Sequence, residues 1–441
     1  MRLTRRRIGL AAGSLAAGGY IGYVLGTGPD DAAIGQYRAT GGGDDLGDRV
    51  GGWVDDDGDQ PATEVGASEE EARSAAPREP TAGVFDDFTD PDRWRVIGGT
   101  RREHPAGAGT SFEVTEADSR FAIVREFDRP VDLSALRPEL VVAVDGGHLR
   151  PWIRYVDTNG NQLAFRFHAP ADVPSVPNPA GMSTVDGEPD LGSITEVRID
   201  DFLGDETRTV HLDELRMTPR PEPGIVLLQF DDSLETDYTR GLPILEEHEM
   251  AASTMINPGY LGREVGGNQR LSVEQVDALA ESGWDVCSHG MNHGNLRDLD
   301  EEGTRAEIAA SYDWLVDHGY GDGARYFAYP YAAYDGTALD VVAEFHDLAF
   351  TAGYSAHGSV SFPYLTPRAV ADATEATENI REIDRTIAYG GISTIFYHQL
   401  TDERETAFRE TVEYLAARRA DGDVRVLTVS AAEDELLTDQ L

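Results

Sequence analysis

The chain has no lysine and a single cysteine. All 37 of its basic residues are arginine, they face 80 acidic residues, and the net charge over 441 residues is −43. The lone thiol, Cys287, rules out an intrachain disulfide, and no cysteine follows the amino-terminal segment to carry a lipid. So few cations argue against DNA or RNA as a partner, because phosphate backbones need cationic contacts. Carboxylate in excess, without lysine, is the solvation pattern expected of a protein in concentrated salt, so the sequence reads as halophilic.

The amino terminus is basic, Met1-Arg2-Leu3-Thr4-Arg5-Arg6-Arg7-Ile8, and runs into a weakly apolar stretch to Leu25 rich in Ala and Gly. Residues 1–27 read as an export signal or, if not cleaved, a membrane anchor. Thr4-Arg5-Arg6-Arg7-Ile8 resembles a twin-arginine signal, with Gly9 where a larger apolar residue is usual. The expected location is extracellular or at the cell surface. Residues 28–83 hold too few large apolar side chains to fold and read as an acidic, disordered linker.

The length suggests two or three domains. From 84 to 221 short alternating stretches are separated by turn residues, among them Phe121-Ala122-Ile123-Val124, Leu140-Val141-Val142-Ala143-Val144 and Trp152-Ile153-Arg154-Tyr155-Val156. Asp157-Thr158-Asn159-Gly160 is a hairpin-turn signal. This spacing predicts an antiparallel β-sandwich. Trp94, Trp152, Tyr155 and Phe167 are candidates for stacking on sugar rings, against the commoner role of such residues in a core. His148, His168 and His211 have no metal-like spacing.

From 222 to 441 strands alternate with helices, which predicts a parallel sheet or βα barrel. The lead strand is Ile225-Val226-Leu227-Leu228-Gln229-Phe230-Asp231-Asp232, nearly all apolar and ending in two carboxylates. Further strands are expected at 252–256, 283–288, 326–329, 348–352, 392–397 and 424–428. Helices are expected at 234–247, 304–318, 338–344, 375–389 and 403–420. Ser272-Val273-Glu274-Gln275 is a capping box opening a helix to Ser282.

Functional groups of such a fold gather at strand carboxyl ends. Asp231 and Asp232 end the first strand, where the bland alternative is helix capping. His289 and His293 follow the third, and their spacing of four would place both on one face of a helical turn. Gly290 stands where a zincin motif has Glu. One carboxylate and two imidazoles leave a metal open to water or substrate. His398 ends the 392–397 strand. Cys287 lies within an apolar strand and reads as a buried thiol.

Phe230-Asp231-Asp232, Ser288-His289-Gly290-Met291-Asn292-His293, Phe327-Ala328-Tyr329-Pro330-Tyr331 and Tyr397-His398 resemble, in order, motifs of the polysaccharide deacetylase family, the NodB-homology domain of carbohydrate esterases. Residues 84–221 resemble jelly-roll carbohydrate-binding modules through Phe85-Asp86-Asp87-Phe88 and the closing Val210 to Met217. The first resemblance implies a distorted (β/α)7 barrel at 222–441 that hydrolyses acetyl groups on sugars with a divalent metal, Zn foremost, with Co, Ni or Mn as alternatives. It implies Asp231 as general base, His398 as general acid, Asp232, His289 and His293 as metal ligands, and the backbone of Tyr331 at the oxyanion.

The family's arginine in the third motif is Ala328 here, and Arg368 is the candidate to take its place beside Asp231. Phe396 stands where a smaller apolar residue packs on the acetyl methyl. The expected substrate is an N-acetylated sugar in a surface or extracellular polysaccharide or oligosaccharide. The alternatives are an O-acetyl ester hydrolase and a carbohydrate-binding protein without catalysis, with membrane attachment through the amino terminus as a further option.

Overall fold

The computed structural model describes residues 80–437 apart from 108, 116, 117, 119 and 203–206. The export segment and nearly all of the linker lie outside the described residues. Two antiparallel sheets of six strands come first. One is ordered Val176–Pro179, Leu136–Asp145, Arg208–Pro219, Thr110–Val114 and Thr100–Arg102, with Gly83–Asp86 also on Arg208–Pro219. The other is ordered Gly181–Asp186, Gln162–Arg166, Trp152–Asp157, Ile194–Phe202, Arg120–Val131 and Arg95–Gly98. Alternation directs Ile153, Tyr155, Leu163, Phe165, Val197 and Ile199 into one core between the sheets. Val176–Pro179 escapes a pattern reading because prolines interrupt it, and it is an edge strand, where proline is tolerated.

Of the four aromatic candidates for sugar stacking, three are core. Trp94 packs on Phe88 with ring centroids 5.2 Å apart, the Tyr155 hydroxyl donates to Met217 Sδ, and Phe167 is buried. Only Trp152 lies on the outer face, out of register with its buried neighbours Ile153 and Tyr155.

The second part is a closed ring of seven parallel strands: β1 (Gly224–Asp231), β2 (Ser253–Ile256), β3 (Asp285–Ser288), β4 (Tyr326–Ala328), β5 (Leu348–Ala352), β6 (Thr366–Val370) and β7 (Ile392–Tyr397). An eighth strand, β8 (Val424–Leu427), pairs only with the first half of β1, while β2 pairs with its second half. The helices are α1 (Leu242–Glu246), α2 (Val273–Glu281), α3 (Glu301–Asp317), α4 (Gly336–Phe345), α5 (Ala376–Tyr389), α6 (Asp402–Asp421) and α7 (Val429–Leu436). The capping box forms as expected, with Ser272 and Gln275 bonded reciprocally. The barrel interior is apolar at its base, where Ile225, Leu227, Met255, Cys287, Tyr326, Leu348, Phe350 and Ile392 meet Val429, Ala432 and Leu436 of α7. Cys287 is therefore a buried barrel thiol.

Three expectations need correction. The sixth ring strand is β6, not 392–397, and 424–428 does not close the ring; Pro367 within β6 hides it from a propensity reading. The stretch 234–247 is helical from 235 to 246 as expected, but with a π-helical turn, Asp237–Gly241, inside it ahead of α1. The His289–His293 segment is not helical. Gly290 at φ 76° and His293 at φ 55° make a left-handed loop that brings the two rings together.

No α-helix connects β5 to β6, only a 3-10 turn at Pro363–Leu365. Residues 353–365 instead run as a strap that docks on the sandwich. Met182 N donates to Ser355 O at 2.7 Å, Ser359 N to Pro219 O at 2.8 Å, and Ser361 N to Glu139 Oε1 at 2.9 Å. A Cβ on Gly181 would lie 2.0 Å from Tyr354 O, so glycine alone allows this approach. Further round the barrel, Val173 and Val176 join an apolar cluster with Leu296, Tyr329 and Tyr334.

Candidate active site

Strand ends supply the site. Above the apolar base, Gln229, Asp231 and Arg368 occupy successive inward positions. Arg368 Nη1 donates to Asp231 Oδ1 at 2.8 Å and to Gln229 Oε1 at 2.8 Å, and Nη2 to Asp231 Oδ2 at 2.9 Å. This fork–fork pair is almost fully buried. Burial pushes the Asp231 carboxyl up, but Arg368, then His289, outweigh it and hold the group below the ordinary range. Phe396 is buried, with the Arg368 guanidinium 4.1 Å from its ring centroid. One of its faces is thus engaged by Arg368, and its ring lies 5.5 Å from that of His398.

Asp232, His289 and His293 converge closely enough to hold a metal ion. His289 Nδ1 donates to Ala328 O at 2.8 Å, which fixes the tautomer and turns the Nε2 lone pair inward. His289 Nε2 lies 3.6 Å and His293 Nε2 3.0 Å from Asp232 Oδ1. Yet that oxygen is buried and receives no well-aligned hydrogen bond. Three acceptor atoms facing one another suit a cation, so the donor set fits a divalent metal. Burial opposes ionisation of Asp232, but the two imidazoles hold its carboxyl well below the usual range.

The loops that carry these groups are held in costly backbone conformations. Asp232, Ser233, His293, Tyr331 and Ala332 all have φ between 51° and 76°. Non-glycine residues in that region cost about 1–3 kcal/mol each and persist where surrounding bonds enforce them. The bonds are visible. Asn257 donates its backbone N–H to Ser233 Oγ and its side-chain amide to His289 O, joining the first and third strand ends. Glu307 of α3 accepts from Asn292 N at 2.5 Å and Gly294 N at 3.1 Å, clamping the histidine loop. Arg270 donates to Asp232 O at 2.7 Å. Tyr331, 40% exposed, sets its ring 4.5 Å from that of His293.

His398 stands at the end of β7. Its Nδ1 bonds Asp372 Oδ2 at 2.6 Å, and its N–H donates to Asp372 Oδ1 at 2.9 Å. Burial would lower the imidazole, but the Asp372 carboxylate reverses this and raises it to about 10. Asp372, Glu307, Asn257, Arg270 and Gln229 were not singled out by the sequence. Asp372 does carry a signal, a carboxylate just past a strand, but Pro367 masks that strand in the sequence.

Fold and site together define a class: a parallel barrel with a candidate metal triad, a buried arginine-paired carboxylate and a carboxylate-backed imidazole at its strand ends. Residues 218–347 match the family model described as polysaccharide deacetylase. The matched segment includes Asp231, Asp232, His289, His293 and Tyr331 and stops before Arg368 and His398. Over 125 residues the chain is 27% identical to YxkH of Bacillus subtilis (strain 168), a protein named for polysaccharide deacetylation, covering 28% of this chain and 43% of YxkH. The chain thus spans less than half the length of that relative. Among solved structures, a family 4 carbohydrate esterase from Streptomyces lividans in complex with acetate matches at TM-score 0.34 and 16% identity, over 46% of this chain and 91% of its own. The peptidoglycan deacetylase PdaC from Bacillus subtilis matches at TM-score 0.33 and 17% identity, over 48% and 93%.

Proposed function

We propose that the protein is a metal-dependent hydrolase that removes acetyl groups from N-acetylated sugars of an extracellular polysaccharide. The observation that carries this reading is the convergence of Asp231–Arg368, Asp232–His289–His293 and His398–Asp372 on one barrel mouth. Asp232, His289 and His293 would hold a divalent ion, most suitably Zn, which supplies Lewis acidity toward a carbonyl and a lowered pKa for water.

The chain's own groups do the rest. Asp231 stays ionised through Arg368, and each of its oxygens keeps a lone pair to accept a proton from the attacking water. Arg368 fixes the plane of that carboxylate. His398, kept protonated by Asp372, gives its Nε2 proton to the departing amine. The backbone of Tyr331, whose ring packs against His293, is the candidate oxyanion donor, and its left-handed φ sets its direction. The basic and then apolar amino terminus supports export, with retention at the membrane if that segment stays in place.

The test is acetate release from N-acetylglucosamine oligomers at about molar salt, which screens the chain's self-repulsion. Activity lost to a chelator and restored by Zn²⁺ or Co²⁺ supports the reading. Absence of release from these oligomers, with release from acetylated xylan, would transfer the site to O-acetyl esters.

A further inference from the structure

The outer face of the second sandwich sheet carries arginines where the chain's overall charge leads one to expect acid. Arg166 Cζ lies 3.7 Å and Arg154 Cζ 5.1 Å from the ring centroid of Trp152. Phe202, 63% exposed, meets that ring edge-on at 6.2 Å. Arg166 Nη2 donates to Arg150 O at 2.9 Å, and its Cζ lies 5.7 Å from the Tyr354 ring. Tyr354 belongs to the barrel, two residues past β5, at the end that holds the metal triad.

The strip continues inward. His168 is lowered to about 3 by burial first, then by Arg150, His148, Arg297 and Arg166, so cations surround it. Arg297 is four residues beyond His293 and donates to Tyr334 O at 2.8 Å. The carboxylates facing the strip are Asp200, which takes Arg154 at 2.7 and 3.3 Å, Asp201, which accepts Arg150 N at 2.6 Å, and Asp172, which takes Arg297 at 2.9 and 2.6 Å. Four arginines meet three aspartates here, whereas the whole chain sets 37 basic residues against 80 acidic ones.

We infer that this strip binds an anionic glycan: the polymer presented to the barrel bears carboxylates along its chain, and Arg166 takes one of them, with Arg154, held on Asp200, fixing the shared Trp152 ring beside it. The inference rests on the deacetylase reading for what happens at the barrel, but not for the binding itself. A guanidinium matches a carboxylate with two parallel bonds. Stacking on Trp152 holds both guanidinium planes before the ligand arrives, so less side-chain entropy is lost on binding. Phe202 and Tyr354 add apolar surface for sugar rings. A nucleic acid, with a charge about every 1.7 Å of duplex, would meet the full repulsion of the chain. A glycan with a carboxylate on alternate sugars places single charges on the strip and neutral sugars elsewhere.

The test uses the full chain and calorimetry with a hyaluronan hexasaccharide, chitohexaose and a short single-stranded DNA. The hyaluronan oligomer is expected to bind about tenfold tighter than chitohexaose, a difference of about 1.4 kcal/mol. Arg166→Gln should remove that preference, raise KM for the uronate oligomer with kcat unchanged, and leave chitohexaose unaffected. Arg154→Gln should act in the same direction should the first variant fold poorly, and Arg305→Gln on α3 should change nothing. Equal affinity for the two oligomers, an Arg166→Gln protein that keeps the preference, or DNA binding as tight as the glycan would each overturn the inference. Uronate-selective binding without acetate release would sink the deacetylase reading instead and leave this one standing.

Discussion

Arg368 reaches Asp231 with both terminal nitrogens, and both side chains are almost fully buried. Lysine keeps the charge and loses the fork, so Arg368→Lys should lower kcat about 100-fold through misalignment of the base. Arg368→Met strands a buried carboxylate and should cost about 3–5 kcal/mol, read from the denaturation midpoint. Asp372 is tested through pH. It raises His398, so Asp372→Asn should move the alkaline limb of the kcat/KM profile to lower pH; an unmoved limb would show that His398 takes its proton affinity from elsewhere. The candidate triad residues Asp232 and His289, and Asp231, stand at the ends of apolar runs, and His293 follows His289 at a metal-like spacing, so their convergence was legible in the sequence. Asp372 was not, because pairing with His398 joins positions 26 apart that only the closed ring brings together. Glu307 was invisible for a similar reason: its work is to accept backbone N–H groups of a loop, and backbone donors leave no trace in a sequence.

At the level of elements, local rules succeeded where one rule acted alone. The Ser272–Gln275 box forms as its spacing predicts, and Ser272→Ala should cost about 1 kcal/mol of stability in denaturant unfolding. They failed where tertiary structure overrode them. Pro367 argues against a strand, yet β6 accommodates it because the ring has neighbours on both sides to hold the backbone extended. A spacing of four suggested a helical turn for His289 and His293, but Gly290 takes a left-handed φ that a helix cannot contain. The β5–β6 strap was equally unpredictable, since its partner is the sandwich and not its own sequence. Gly181→Ala tests that contact. The new methyl meets the Tyr354 carbonyl, which is backbone and cannot swing aside, so thermal unfolding should shift down by several degrees with the metal triad untouched.

For the whole molecule, charge sets the conditions of stability. Glu139 is buried at the strap, and burial raises its carboxyl from 4.5 to about 7 against the bonds from Ser361. Between those values the folded form binds more protons than the unfolded form, so stability falls as pH rises through this window. Glu139→Gln removes that dependence, and the variant's advantage in unfolding temperature over the wild type should be larger at pH 8 than at pH 4.5. Salt should raise stability. With 80 acidic residues against 37 arginines, the unfolding midpoint should climb between about 0.1 and 2 M NaCl as repulsion is screened to within a few ångströms.

The replacement of an α-helix by a docked strap between β5 and β6 has a consequence for how the chain is made. Every sandwich strand, from Gly83 to Pro219, leaves the ribosome before residues 353–365 do. Amino-terminal domains fold first during synthesis. The surface that the strap needs is thus finished before the strap exists, and the sandwich acts as a mould for the last third of the barrel. A gene fragment encoding the barrel alone would yield a ring with an open flank, and expression of 222–441 should give aggregated product unless residues 80–221 are supplied alongside it.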